Sequence, residues 1–293
     1  MIICDTNNLI VAAAGAAQKE FGTSTTIDDI RSYFMTTLLG LRKRFGTEYG
    51  TEMVMAFDGR ADKLWRRQLF PFYKIRREGK KASSPLDWDQ IRACINLFKQ
   101  EFTDFMPYKV VCLENCEGDD IIAALVRHRH KNRKGDIGSS YDEKTIIVSA
   151  DGDMMQLQTL QGVDQWSVQH DKYVRSEKPV EDYLVKVIRG DAGDDIPSAI
   201  SPDDVFMTGT RQKPITQKKL DEWIPVIMEG QIPEDLVNFN RNVALISLFH
   251  IPSDVCEQIV DAYEAAPVAS KTTMTEYFAS NRLGNFMEHL PLF

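Results

Sequence analysis

The chain has no run of 18 apolar residues, and its most apolar early stretch, residues 1–17, is broken by Asp5, Asn7 and Asn8 and lacks a basic start. Neither a membrane-spanning helix nor a secretory leader is expected. Cysteine is scarce. The five residues at 4, 94, 112, 116 and 256 include no CxxC pair and no histidine at zinc-ligand spacing, which argues against a disulfide framework and a structural zinc site. There is no GxSxG elbow, no GxxxxGK[ST] loop and no cysteine with an evident histidine partner, so covalent acyl chemistry and P-loop nucleotide chemistry are not indicated. The five histidines, His128, His130, His170, His250 and His289, read as surface or structural residues.

With 43% apolar residues in 293, the chain can bury a sizeable core. Short apolar runs at 1–4, 53–57, 108–113 and 145–150 alternate with helical patterns at 27–45, 86–105 and 117–131. That alternation predicts an α/β fold, a mainly parallel central sheet flanked by helices. Thr26 with Asp29 resembles a capping start, and Ser84 followed by Pro85 is expected to open a further helix. Beyond about residue 175 only helical patterns remain, at 179–189, 216–229, 240–249, 253–264 and 272–281. The expected organisation is an α/β core over 1–175, including a basic segment at about 58–85, and a helical layer over 176–293.

A net charge of −8 would by itself argue against a nucleic-acid partner. The acids, however, are not scattered. Each predicted strand runs into one or more: Asp5 after the first, Asp58 after the second, Glu117, Asp119 and Asp120 after the third, Asp151 and Asp153 after the fourth. Ligands of open parallel sheets bind at the carboxyl ends of the strands, so these side chains should converge. A single such Asp is ordinarily a turn or helix cap. Four elements carrying them together, joined by Asp191 and Asp194 of RGDAGDDIPS, point to hard cations with oxygen ligands, two Mg²⁺ or Mn²⁺ by count. A two-metal centre activates water for in-line attack at phosphorus and needs no protein nucleophile. Setting these nine acids aside leaves the rest of the chain close to neutral.

The bases are concentrated as well. Nine lie between Arg60 and Lys81 against only Asp62 and Glu78, interleaved with Trp65, Phe70, Phe72 and Tyr73. Bases with interleaved rings suit single-stranded nucleic acid; the alternative is an amphipathic segment whose rings enter the core. Lys74 and Arg77, spaced i, i+3, would share one face of a helix.

CDTNNL (4–9), FDG with WRR and P-x-Y-K-x-x-R (57–77), E-x-D-D (117–120), S-x-D-G-D (149–153) and G-D-x-x-D-x-I-P (190–197) occur in the order seen in flap endonucleases and 5′–3′ exonucleases. The chain resembles that family over essentially its whole length. Its spacing, the DWD at 87–89 and the short helical C-terminus look most like the ribonuclease H branch of T-even phages. The resemblance implies a structure-specific, metal-dependent nuclease that removes RNA primers and 5′ flaps, with a basic helical arch over the site. It makes Asp5, Asp58, Glu117, Asp119, Asp120, Asp151 and Asp153 the core ligands, directly or through water, and Asp191 and Asp194 the second-metal pair. Lys74 and Arg77 become the bases at the scissile phosphate. Tyr73 would stack on a substrate base, and Lys63, Arg66, Arg67, Lys80 and Lys81 would contact nucleic acid. Asp195 stands where Asn is usual, leaving its role open, and Glu114 falls outside the match.

After Ile196 the chain departs from the family's glycine-rich duplex-binding hairpin, since residues 197–219 contain only Gly209. The carbonyl cage for a monovalent cation is therefore not expected. Duplex grip falls to Arg211, Lys213, Lys218 and Lys219 in a helix-turn-helix-like segment. The expected substrate is branched DNA or RNA/DNA with a 5′ flap or primer end. The protein is expected to be a cytoplasmic monomer, in the host cytoplasm if a phage encodes it. LPLF (290–293) is a packed terminus or a docking peptide for a sliding clamp or single-strand-binding protein. Three other readings are weaker. A PIN-domain ribonuclease would lack the basic arch and G-D-x-x-D. An aspartyl-nucleophile phosphatase wants an acid where Asn7 stands. A non-catalytic nucleic-acid-binding protein has no use for nine convergent acids.

Overall fold

The computed structural model describes residues 1–135 and 144–293. Its frame is one six-stranded sheet: β1 (Ile2–Asp5), β2 (Met53–Phe57), β3 (Lys109–Cys112), β4 (Thr145–Val148), β5 (Val163–Ser167) and β6 (Lys172–Tyr173), in the order β3-β2-β1-β4-β5-β6. All pairings are parallel except β5 with β6. The order reverses between β1 and β4, which opens a crevice at their carboxyl ends.

The strands alternate between two cores. Ile2 and Cys4 face one core with α1 (Thr6–Phe21), α2 (Ile27–Tyr49) and α5 (Trp88–Phe105), where Phe34 stacks between Phe98 and Phe102. Ile3, Val54 and Ala56 face the other, against Ile121, Ile122 and Leu125 of α6 (Gly118–Gly135). Sheets covered on both faces need continuously apolar strands, and β1, β2 and β4 are buried at every residue.

Between β2 and α5 lie two short helices joined by turns, α3 (Trp65–Leu69) and α4 (Arg77–Ala82). This is the helical content of the expected arch. Lys74 therefore sits in a turn with φ 54° and not one helical turn below Arg77. The next helix starts at Trp88, capped by Asp87 accepting from Gln90 N–H, and not at Pro85; Ser84 instead accepts from Leu86 N–H. The capping box of Thr26 and Asp29 at the start of α2 is formed as expected.

After a 3₁₀ helix (Gly152–Thr159) and the β5–β6 hairpin, the described chain is helical: α7 (Pro179–Arg189), α8 (Val205–Thr208), α9 (Gln217–Met228), α10 (Phe239–Ile246), α11 (Ser253–Ala265), α12 (Lys271–Ser280) and a 3₁₀ turn over Gly284–Leu292. A third core joins α7, α9 and α10 to Leu64, Phe70 and Tyr73 of the basic segment. Phe70 and Tyr73 are thus packing residues of the helical layer, while Trp65 packs in the second core with α6. Phe293 packs edge-on against Phe278 and Phe286, whereas Leu292 of the same LPLF segment is exposed. Among the described residues no helix is long and apolar enough to cross a membrane.

Candidate active site at the carboxyl ends of the strands

Asp5 ends β1 and caps α1, accepting from Asn8 N–H at 3.2 Å and from Ser149 Oγ at 2.9 Å. Asp58, one residue past β2, accepts from Gly118 N–H at 2.8 Å and from Asn7 Nδ2 at 2.9 Å. That places it at the positive end of α6. Gly59 is required beside it, since a Cβ there would lie 2.0 Å from the Leu113 carbonyl oxygen. Asp151 caps the 3₁₀ turn by accepting from Asp153 N–H at 2.8 Å. Buried Gln165 steadies that turn, donating to the carbonyls of Ser149 and Asp151 at 3.0 and 2.7 Å.

These carboxylates repel one another. Burial, then Asp58 and Asp151, push the Asp5 carboxyl up to about 7. Burial, then Asp151 and Asp5, raise Asp119 well above the usual carboxylate range. Oxygen donors with uncompensated mutual repulsion are what hard divalent cations require, so the residues fit such ions. Among the described residues no three Asp, Glu, His or Cys side chains already close around one point.

The remaining acids already hold cations. Glu117 accepts from Lys74 Nζ at 2.6 Å and Tyr73 Oη at 2.7 Å, with Arg77 Nη1 at 4.0 Å. Burial would raise its carboxyl, but Lys74 and Arg66 hold it at about 2. Lys74 also lies 3.3 Å from Asp194. Lys186 of α7 bridges Asp153 and Asp191, 2.8 Å from the latter. Burial still leaves Asp153 raised to about 6, whereas Lys186 and two backbone N–H donors outweigh burial at Asp191 and lower it.

Several expected contacts are taken by the protein itself. Asp120 is fully buried and accepts from Trp65 Nε1 at 3.1 Å, Arg66 Nη1 at 2.8 Å and Glu117 N–H at 3.0 Å. Two of these partners belong to the basic segment, so Asp120 ties α6 to that segment. Arg66 is buried as well, donating to Leu245 O at 2.8 Å, and is closed to nucleic acid. Tyr73 is 2% exposed with its hydroxyl on Glu117, so its ring cannot stack on a base in this structure. In both cases the aromatic-basic pattern reflects packing. Arg67 donates to the carbonyls of Tyr73 and Lys74. Lys63 pairs with Glu114, and Lys81 lies 5.1 Å over the Trp88 ring. The Lys80 side chain lies outside the described residues. Arg211, Lys213 and Lys218 are exposed, and Lys219 lies 4.9 Å over the Trp223 ring.

Sequence reasoning passed over Asn7, Ser149, Gln165 and Lys186. The first lies within CDTNNL and the second within S-x-D-G-D, so two were in view inside quoted motifs. Lys186 reads in sequence only as a cation suited to a helix end.

Residues 1–184 match the profile of the 5′–3′ exonuclease N-terminal, resolvase-like domain, and residues 178–293 that of the T4 RNase H C-terminal domain. Ribonuclease H of Enterobacteria phage T4 is 27% identical over 236 residues, 78% of this chain and 74% of that protein. A structure of bacteriophage T5 5′-exonuclease with bound zinc superposes with a TM-score of 0.59 at 15% identity, covering 91% of this chain and 99% of that one. A T5 flap endonuclease pseudo-enzyme-product complex with DNA and metal ions gives 0.56 at 16% identity, covering 90% and 98%.

Proposed function

Because the chain belongs to the 5′–3′ exonuclease family, we propose that it is a structure-specific 5′ nuclease, hydrolysing phosphodiester bonds in DNA and RNA/DNA to remove primers and 5′ flaps during replication. What supports this reading is that Asp5, Asp58, Asp119 and Asp151 lie near enough at the carboxyl ends of the strands to repel one another, with Lys74 and Arg77 beside Glu117. The relative from T4 is a ribonuclease H, and the T5 enzyme has been crystallised with metal ions and DNA, which supports the substrate and the dependence on divalent metal.

In this reading Asp5, Asp58, Glu117, Asp119, Asp151 and Asp153 hold the first ion, directly or through water, and Asp191 and Asp194 the second. Asp120 supports them through Arg66. Two Mg²⁺ or Mn²⁺ ions, when bound, supply an activated water and offset charge developing on phosphate. Asn7 and Ser149 fix how Asp58 and Asp5 point. Lys74 and Arg77 release Glu117 to grip the scissile phosphate, where preorganised cations act on transition-state charge. We assign residues 1–175 to this chemistry and 176–293 to the duplex, held by Arg211, Lys213, Lys218 and Lys219. Lys63 and Lys81 lie where a strand would approach the basic segment.

A 5′-labelled flap tests the reading. Mg²⁺-dependent release of a short labelled product, abolished by EDTA and by Asp151→Asn, is expected. Cleavage that ignores the 5′ end, or persists in EDTA, would overturn it.

A further inference from the structure

Asp195 directly follows Asp194 of the G-D-x-x-D segment, and its side chain turns toward the basic segment. The carboxylate is fully buried. Oδ2 accepts from the Arg76 backbone N–H at 2.8 Å, and Oδ1 accepts from Arg76 Nε at 2.6 Å. One residue earlier, the Asp194 carbonyl accepts from Lys74 N–H at 2.9 Å. Three hydrogen bonds therefore dock residues 74–76 on the loop that carries Asp191 and Asp194.

The docked backbone is not relaxed. Lys74 has φ 54° and Asp195 φ 60°, the left-handed region that residues with side chains rarely adopt. Such conformations persist only where their surroundings impose them. Here the two strained residues face each other across the hydrogen bonds just described. Arg76 is held from its other side, 4.3 Å over the Phe206 ring on α8. As a result Lys74 Nζ lies 2.6 Å from Glu117 and 3.3 Å from Asp194.

We propose that Asp195 is a positioning residue for phosphodiester cleavage: it clamps residues 74–76 so that Lys74 and Arg77 face the carboxylate crevice. The proposal rests on the nuclease reading of the site. It also accounts for a carboxylate at this position. A carboxamide has one acceptor oxygen and would turn an N–H₂ donor toward the Arg76 Nε–H donor, so it can keep only the backbone bond. The two-point clamp needs Asp195 and Arg76 together.

The test is single-turnover cleavage of a saturating 5′ flap in Mg²⁺, with substrate Kd measured separately by anisotropy in Ca²⁺. Asp195→Asn and Arg76→Gln should each slow cleavage about 5- to 10-fold and Asp195→Ala about 50-fold, because small misplacements of phosphate-gripping groups are costly to rate. Kd should move less than about 2-fold, and Arg76→Gln combined with Asp195→Asn should be no slower than the worse single variant, as one shared interaction requires. Unchanged rates, a loss confined to Kd, effects that multiply, or a lowered melting temperature with normal cleavage by the folded protein would each overturn the clamp. The Arg76 side chain is 38% exposed, so Arg76→Gln decides the matter even if Asp195→Ala does not fold. A wild-type protein that fails to cut the flap counts against the proposed function. A wild-type protein that cuts, with both mild variants equally fast, counts against the clamp alone.

Discussion

Asp5 and Asp119 form no ion pair among the described residues, whereas Glu117, Asp153 and Asp191 each hold a lysine. The two groups lie in one crevice, yet Asp5 and Glu117 are shifted in opposite directions, while Asp153 stays raised to about 6 even with its lysine. Burial and neighbouring carboxylates drive Asp5 up to about 7, while Lys74 and Arg66 overcome burial to hold Glu117 at about 2. Residue type alone does not decide what a carboxylate offers a cation. Asp5 and Asp119 face other carboxylates with no ion-paired cation, so an arriving divalent ion relieves that repulsion and displaces the protons it favours. At the other group an ion must first displace an ammonium. On the proposed two-ion reading, the ion held mainly by the strand-end acids should therefore bind more tightly than the one at Asp191 and Asp194.

The sharpest way to break this contrast is to neutralise one acid in each group. Asp151→Asn should lower cleavage about 1,000-fold or more with substrate binding retained, because transition-state charge stabilisation in a dry site is worth several kcal/mol. Asp191→Asn should cost about 10-fold and be partly rescued by excess Mg²⁺, as expected for the weaker ion. Metal titrations that leave both variants equally dead would show that the ranking is wrong.

Next in size is the basic segment, where Lys74 touches the crevice and Lys63 does not. Lys74→Ala should lower the single-turnover rate about 100-fold while changing affinity little. Lys63→Ala should leave the rate intact and reduce the salt slope of binding by about one phosphate contact. If both lose only affinity, the segment is a tether and Lys74 has no part in the chemistry.

Lys186→Met probes the pre-neutralised group directly. Removing the shared cation leaves Asp153 and Asp191 facing each other, so metal-free stability should fall by about 1–3 kcal/mol. Mg²⁺ should recover most of that loss, read as a larger metal-induced rise in urea midpoint than in the wild type. Equal rises would show that Lys186 and metal do not compete.

Smallest are the effects at the duplex-binding segment. Lys218→Ala with Lys219→Ala should flatten the salt dependence of duplex binding by about two contacts at most. Exchanging Na⁺ for K⁺ at fixed ionic strength should change little, since residues 197–219 offer one glycine for close backbone approach. A marked K⁺ preference would restore the family's usual hairpin to this chain.

How much of this was legible depended on whether a residue's role follows from its own pattern. β1, β2 and β4 announce themselves because a doubly covered parallel strand is apolar throughout. β5 (VDQWS) does not, because its buried Gln165 and Ser167 are polar; Gln165 is there to hold the turn of Asp151. The row of acids was readable from strand order. Their sorting into bare and neutralised groups was not, because it depends on lysines that arrive from α7 and from the turn at residue 74. Tyr73 and Arg66 show the same limit. A ring beside a base looks alike in sequence whether it meets a nucleobase or a core, and here the third hydrophobic core claims the ring.

Arg66 joins three parts of the molecule at one guanidinium: it donates to Asp120 on α6 and to Leu245 on α10, and it lies 4.4 Å over the Trp65 ring. A joint of this kind couples local opening, since freeing any one part strands a buried charge. Amide hydrogens of residues 65–70 and of α10 should then exchange with deuterium at matched, slow rates, and Arg66→Met should uncouple them.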